Sequence, residues 1–212
     1  MDQLNYIVVE GNIGAGKTTL ATMLAKNIEA RLFLEQFADN PFLPKFYEDQ
    51  ERYSFPLELS FLAERYNQLN KELRHQDLFH NVTISDYFFM KCVIFAKTTL
   101  ADDEFKLFSQ IFEIIYKTLP KPDLYVYLHL PVENLLKNIA RRGRDFEQTI
   151  KGQYLEKIQE GYFSFFRQHP DYKFLVIESQ NVDFVANPEH FELLRQIIFD
   201  KKYSIGINRV LL

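Results

Sequence analysis

Short runs of consecutive apolar residues alternate along the chain with longer stretches in which apolar positions recur every three or four residues. The first kind suits parallel strands buried on both faces, and it predicts strands at Tyr6–Glu10, Arg31–Phe33, Val82–Asp86, Leu124–Leu130 and Phe174–Ile177. The second predicts helices at Lys17–Ile28, Ser54–Arg74, Phe88–Thr98, Asp102–Thr118, Val132–Arg142 and Thr149–Arg167. Five strands joined by helical crossovers make an α/β doubly wound fold, a five-stranded parallel sheet flanked by helices. In such sheets ligands collect beyond the carboxyl ends of the strands, so the polar residues that follow each strand are the first suspects. No repeat, linker or compositional break divides residues 1–212, and a single domain is expected. The stretch after Asp200 has no clear period and receives no element.

Composition narrows the class. With 212 residues, 47% hydrophobic and 25% charged, the chain can bury a sizeable core, which excludes disorder and fibrous repeats. The net charge of −4 leaves no basic field to hold a nucleic acid, so a small ligand is expected. The single cysteine, Cys92, lies among apolar residues and reads as a packed thiol in a reducing compartment. No basic leader opens the chain and no apolar run reaches the ~20 residues that span a bilayer, which points to a cytoplasmic protein.

Only 7 glycines are present, and Gly11, Gly14 and Gly16 fall together. Gly11-Asn12-Ile13-Gly14-Ala15-Gly16-Lys17-Thr18 matches G-x-x-x-x-G-K-[ST] in full, after an apolar strand and at the head of a helix. Glycines there let successive N–H groups turn toward phosphate oxygens, Lys17 reaches the outer phosphates, and the Thr18 hydroxyl can ligate Mg²⁺. The segment Gly11 to Thr19 is therefore assigned to ATP with Mg²⁺. Asp86, ending the third strand, can hold the metal directly or through water, or cap the helix from Phe88. Glu35, after the second strand, faces the same crevice and can take a proton from an attacking hydroxyl, or be an ordinary surface acid.

Arg141, Arg142 and Arg144 surround Gly143 at the end of a predicted helix. They either complement the helix dipole or clamp a transferring phosphoryl group, and beside a P-loop the clamp is preferred, in a lid over about 141–152. Glu147 follows, with a carboxylate that can turn toward a sugar hydroxyl.

The segments GNIGAGKTTL, LEQFADNPFLPKFYEDQERYSFPLELSFLAERYNQL, ISDYFFMKCVIFAKTTL, LPKPDLYVYLHL, RRGRDFEQTIKGQYLEKI and SQNVDFVAN, in this order, resemble the P-loop deoxynucleoside kinases, and among them the short bacterial deoxyguanosine/deoxyadenosine kinase branch. The resemblance implies Glu35 as general base for a 5′-hydroxyl, and Tyr47 with Glu147 on the deoxyribose 3′-hydroxyl. It implies Arg142 and Arg144 on phosphates, the loop Asn181, Val182, Asp183 and Phe184 against the ATP adenine, and a homodimer with a helical interface. Two departures stand out. The family usually has Arg and Ser after the acid of the third strand, where this chain has Asp86-Tyr87-Phe88, leaving Lys91, Arg52 or Arg65 to supply the charge. An arginine frequent four positions before Arg142 is Asn138 here.

Glu58 and Arg65, seven residues apart on one predicted helix, share a face that the resemblance turns toward the nucleobase. Many relatives carry Gln at the position of Glu58. An ionised glutamate only accepts, which suits the adjacent N1–H and 2-amino donors of guanine, while Arg65 can donate to O6 or N7; a protonated Glu58 can also read adenine. The expected function is ATP-dependent 5′-phosphorylation of a purine deoxynucleoside, deoxyguanosine first. A deoxyadenosine or broader deoxynucleoside kinase, or in a different class a non-catalytic nucleotide-binding subunit, is the alternative. Phe37, Phe46, Tyr47, Phe55, Phe88 and Phe89 are expected to flank the base.

Overall fold

A computed structural model describes residues 4–36, 40–74 and 80–212. Six strands, β1 Tyr6–Gly11, β2 Arg31–Phe33, β3 Thr83–Ser85, β4 Leu124–His129, β5 Lys173–Glu178 and β6 Gly206–Leu211, form one sheet in the order β2-β3-β1-β4-β5-β6. Every pair is parallel. Helices α1 Lys17–Asn27, α2 Leu43–Glu48, α3 Gln50–Arg74, α4 Lys91–Thr99, α5 Asp102–Tyr116, α6 Val132–Arg142, α7 Gly152–Gln168 and α8 Pro188–Phe199 connect them, with a 3-10 turn at Asp145–Glu147.

The five expected strands are present, and the sheet gains a sixth from the stretch left without an element. β6 pairs with β5 from Lys173↔Gly206 to Glu178↔Leu211. It is an edge strand with Ile207 and Leu211 in solvent and Asn208 and Arg209 interrupting its apolar run, so it lacks the signature of a doubly buried strand. From β1 in mid-sheet the chain moves out to the edge at β2, returns to β3 beside β1, then crosses to β4 on the other side. The switch point therefore lies at the carboxyl ends of β1, β3 and β4.

Side-chain alternation gives the two sheet faces different cores. Tyr6, Val8, Tyr125, Tyr127, Phe174 and Val176 point to one face, where Phe88, Phe89, Phe112, Tyr162 and Phe166 pack on them. Ile7, Val9, Leu124, Val126, Leu128, Leu175 and Ile177 point to the other, against Leu20, Leu24, Leu135, Leu194 and Ile198. Much of the aromatic surplus is consumed by the first face. A smaller cluster of Leu43, Phe46, Leu57 and Phe61 joins α2 to α3 above the sheet. Among the described residues no helix is long and apolar enough to cross a membrane.

Candidate active site

The loop between β1 and α1 curls because two residues adopt positive φ. Gly14 (φ 83°) and Gly16 (φ 86°) lie in the left-handed region, and a Cβ on Gly14 would stand 2.8 Å from the Leu135 carbonyl oxygen. α6 thus presses directly on the loop, and Asn138 donates from Nδ2 to the Gly14 carbonyl at 2.9 Å. The Asn138 side chain therefore ties α6 to the P-loop. Lys17 donates to the Asn12 carbonyl at 3.0 Å, and burial together with facing Lys91 lowers its pKa to about 8.

A cavity of about 590 Å³ opens beside this loop. Gly14 to Thr19 line one side, Asn134, Lys137, Asn138, Arg141, Arg142 and Arg144 another, and Val182, Asp183 and Phe184 a third. Gly11, Asn12, Ile13 and Asn181, assigned to ATP from the sequence, stay out of its wall. Asn12 is buried, donating to the Leu155 carbonyl at 2.7 Å and accepting from the Ile13 N–H at 2.8 Å, so its side chain secures α7 to the loop. Asn181 donates to the Leu212 carbonyl at 3.3 Å.

Beyond β3 the charged groups interlock. Asp86 accepts from the Thr18 hydroxyl through Oδ2 and from the Glu35 N–H at 2.7 Å through Oδ1. It caps no helix, since α4 begins only at Lys91. Glu35 is gripped by two cations, Lys91 Nζ at 2.6 Å from Oε2 and Arg65 Nη2 at 2.6 Å from Oε1. Burial alone would raise the Glu35 pKa, but Lys91 and Arg65 hold it down to about 2. Lys91 and Arg65 thus fill the charge gap left after Asp86, while Arg52 lies over the Tyr53 ring, 5.3 Å from its centroid.

Beneath them is a carboxylate that the sequence reading passed over. Glu10, fully buried at the end of β1, accepts from the Phe88 N–H at 3.0 Å and the Tyr162 hydroxyl at 2.9 Å. Burial raises its pKa against Lys91 and Lys17. Its signal was an acid inside an otherwise apolar strand. Cys92 is buried as expected and accepts from Arg65 Nη1 at 3.2 Å, and burial pushes its thiol up to about 11.

A second, smaller cavity of about 110 Å³ runs from these charges toward α2 and α3. Glu35, Asp86, Lys91 and Arg65 stand at one end with Ile13, Lys17 and Thr18. Leu43, Phe46, Leu57, Phe61, Phe95 and Tyr154 supply apolar walls, and Tyr47, Glu58 and Glu147 polar ones. Of the expected aromatic flank, Phe46 and Tyr47 line this space. Phe88 and Phe89 lie in the sheet core and Phe55 packs against that core, because the Phe88 to Met90 segment turns its rings toward the sheet. Phe37 lies outside the described residues. Phe61, Phe95 and Tyr154 take their place, and only the packing of α3, α4 and α7 brings those three together.

Glu58 and Arg65 share the inner face of α3 and are 2% and 4% exposed. Thr99 donates to Glu58 Oε1 at 3.0 Å, whereas Oε2 has no protein partner among the described residues. Burial pushes the Glu58 pKa up to about 7, against the opposing pull of Arg65, the Thr99 hydroxyl and Lys91.

Gly143 ends α6 in the left-handed conformation (φ 70°), and the arginines around it line the larger cavity. Arg142 and Arg144 both pair with the buried Glu147 carboxylate, Arg144 at 3.1 Å. Phe146 stacks on Tyr47 at 6.0 Å between centroids, joining the lid to α2. Lys17, Thr18, Arg142 and Arg144 line both cavities, so the two spaces meet at the four groups best suited to a phosphoryl group in transit.

Residues 7–201 match the family described as deoxynucleoside kinase. The chain is 37% identical over 196 residues to a deoxyguanosine kinase of Bacillus subtilis (strain 168), covering 91% of this chain and 95% of that one. It is 32% identical over 217 residues to a deoxyadenosine kinase of Lactobacillus acidophilus, covering 96% and 99%. Its fold matches the structure of a deoxyadenosine kinase from M. mycoides, with a TM-score of 0.80 at 22% identity over 92% of this chain and 100% of that one. The P-loop, the paired cavities and the lid thus stand in a chain that belongs to the deoxynucleoside kinases.

Proposed function

We propose that this deoxynucleoside kinase transfers the γ-phosphoryl of ATP to the 5′-hydroxyl of purine deoxynucleosides, with deoxyguanosine preferred. The observation that carries the base preference is the buried Glu58 carboxyl in the wall of the smaller cavity, with Arg65 on the same helix face. A carboxylate offers two acceptors to the N1–H and 2-amino group of guanine and nothing to the unprotonated N1 of adenine. The similarity to a deoxyguanosine kinase supports this ranking, and the similarity to deoxyadenosine kinases keeps adenine as the second reading.

In this reading the larger cavity takes ATP and the smaller the nucleoside. Glu35 lines the nucleoside cavity with Lys17 and Thr18. A carboxylate neutralised by Lys91 and Arg65 is too weak a base to strip a hydroxyl beforehand, so proton transfer to Glu35 accompanies bond formation at phosphorus. Lys17, Arg142 and Arg144 line the junction and supply charge to the transferring group. Tyr47 and Glu147 face the sugar end. The Thr18 hydroxyl and Asp86 carboxylate stand in contact, an all-oxygen pair that suits Mg²⁺ with several waters retained. When bound, Mg²⁺ neutralises charge on the donor phosphates. The homodimer belongs to the proposal too, and the exposed Leu107 and Ile114 of α5 offer it apolar surface.

A coupled ADP-release assay with deoxyguanosine, deoxyadenosine, deoxycytidine and thymidine tests the reading. The expected result is the highest kcat/KM for deoxyguanosine. Silence with all of them returns the chain to a non-catalytic role, and a pyrimidine ranked first removes Glu58 from base recognition.

A further inference from the structure

The Thr99 hydroxyl stands 3.0 Å from Glu58 Oε1 and 3.0 Å from the Phe95 carbonyl, with one proton to give. When Glu58 is a carboxylate, Thr99 donates to it. When Oε1 carries a proton, Glu58 donates to Thr99 and Thr99 to Phe95. The surroundings therefore satisfy both protonation states of one buried carboxyl, while Oε2 has no protein partner among the described residues and Glu58 lines the nucleoside cavity.

From this geometry, and resting on the purine-kinase reading above, we infer that one pocket takes both purine deoxynucleosides, Glu58 recognising guanine as a carboxylate and adenine as a carboxylic acid. Guanine presents two adjacent donors, N1–H and the 2-amino group, which match two carboxylate oxygens. Adenine presents an acceptor, N1, beside a donor, the 6-amino group. The acid form matches it with its one proton on Oε2, the oxygen without a protein partner among the described residues, donated to N1, while Oε1 accepts from the 6-amino group and keeps the Thr99 hydroxyl as a donor, the proton being drawn from solvent. Each purine placed against the wrong form leaves a buried mismatch, two acceptors or two donors face to face.

The groups facing Glu58 permit both forms. Arg65 on α3 and Lys91 on α4 favour the carboxylate, as does the Thr99 hydroxyl, while burial opposes it more strongly. Tyr47 from α2, Tyr154 from α7 and Cys92 from α4 also sense the Glu58 charge. Burial holds each of these three in its protonated, neutral form, so they do not titrate alongside Glu58. At the far end of the cavity Glu35 is committed to Lys91 and Arg65, and Glu147 to Arg142 and Arg144.

The test is the ratio of kcat/KM for deoxyguanosine to that for deoxyadenosine, measured with ATP between about pH 6 and about pH 8. Titrations of ATP, of the metal and of the shared catalytic groups act on both substrates and cancel in the ratio. If the two purines use the two protonation states, the ratio equals a constant times the fraction of carboxylate over acid, and rises about tenfold per pH unit. Glu58→Gln, whose amide donates and accepts at every pH, is expected to phosphorylate deoxyadenosine with a pH-independent ratio. Thr99→Val removes a hydrogen bond that favours the carboxylate, and is expected to keep the slope while moving the ratio toward deoxyadenosine at each pH. Both purines phosphorylated at a pH-independent ratio by the wild type overturns the inference and leaves the purine-kinase reading standing. So does deoxyguanosine as the only purine accepted across the range, or an unchanged slope in Glu58→Gln. A wild-type chain that phosphorylates no purine overturns the reading beneath it. Should Glu58→Gln fail to fold, the wild-type slope alone decides.

Discussion

Lys91 Nζ stands 2.6 Å from Glu35 Oε2, reaching from α4 across to the loop after β2, while Arg65 holds the other oxygen from α3. Two successive helices on either side of β3 thus fix one acid in the wall of the nucleoside cavity. Removing either cation leaves Glu35 held by the other alone, through one oxygen, and so less firmly aimed. For Lys91→Met we expect kcat to fall about 10²-fold with the nucleoside KM changed less than about threefold, and Lys91→Arg to restore part of the loss. Steady-state kinetics decide it. A rise in KM at unchanged kcat would mean that Lys91 only shapes the pocket.

Glu35 itself is best probed by Glu35→Gln, which keeps an oxygen for Lys91 and Arg65 and removes the base. Deletion to alanine would leave two buried cations facing each other, and the chain would lose stability as well as chemistry. The expected result is a kcat lower by about 10²- to 10⁴-fold with deoxynucleoside binding retained by calorimetry. Near-normal kcat with lost binding would move Glu35 from proton acceptance to substrate anchoring.

Glu58 also sets a pH dependence of stability. Its pKa in the fold, about 7, lies above that of a carboxyl in the unfolded chain, so between the two values the folded state binds more protons. Stability therefore declines as pH rises through that window, by at most about 1.4 kcal/mol per unit, and is fully present below it. Glu58→Gln removes this contribution. The variant is expected to gain on the wild type in urea melts from about pH 4.5 to about pH 7 and to keep a constant advantage above. Parallel stability profiles would show that the Glu58 carboxyl is solvated before unfolding.

The inner strands and the phosphate loop were legible because each is local. A doubly buried strand must be apolar at every position, and a phosphate cradle needs glycines at fixed spacing. Glu35 and Asp86 were found by position, since polar groups just after strands share one edge of the sheet, and the lid arginines by their clustering about Gly143 at the end of a helix. α2 escaped the reading because six residues span less than two turns. α8 was passed over although Asn187 accepts from the Glu189 N–H ahead of Pro188, an ordinary start signal. The sequence offered Lys91, Arg52 and Arg65 as equals beside Glu35. Only the packing of α3 against α4 separates the two that reach it from the one that lies on Tyr53.

The contact between the P-loop and α6 gives a last prediction that compares two glycines in the same conformation. Gly14 and Gly143 both have positive φ, 83° and 70°, so an alanine at either place costs about 1 kcal/mol in backbone strain. Their surroundings differ. A Cβ on Gly14 meets the Leu135 carbonyl oxygen at 2.8 Å and Ile139 at 3.1 Å, whereas a Cβ on Gly143 meets nothing within 4 Å. Backbone cannot yield as a side-chain tip can, so Gly14→Ala must push the loop away from α6. It would stretch the Asn138 bond to the Gly14 carbonyl and move Gly16 and Lys17 within the donor cavity. The expected outcome for Gly14→Ala is an ATP KM raised at least about tenfold, because strain and displacement add at one site. Gly143→Ala is expected to keep the ATP KM within about threefold and to lose only about 1 kcal/mol of stability. Equal effects from the two substitutions would show that backbone conformation alone, and not the pressure of α6, governs the cradle.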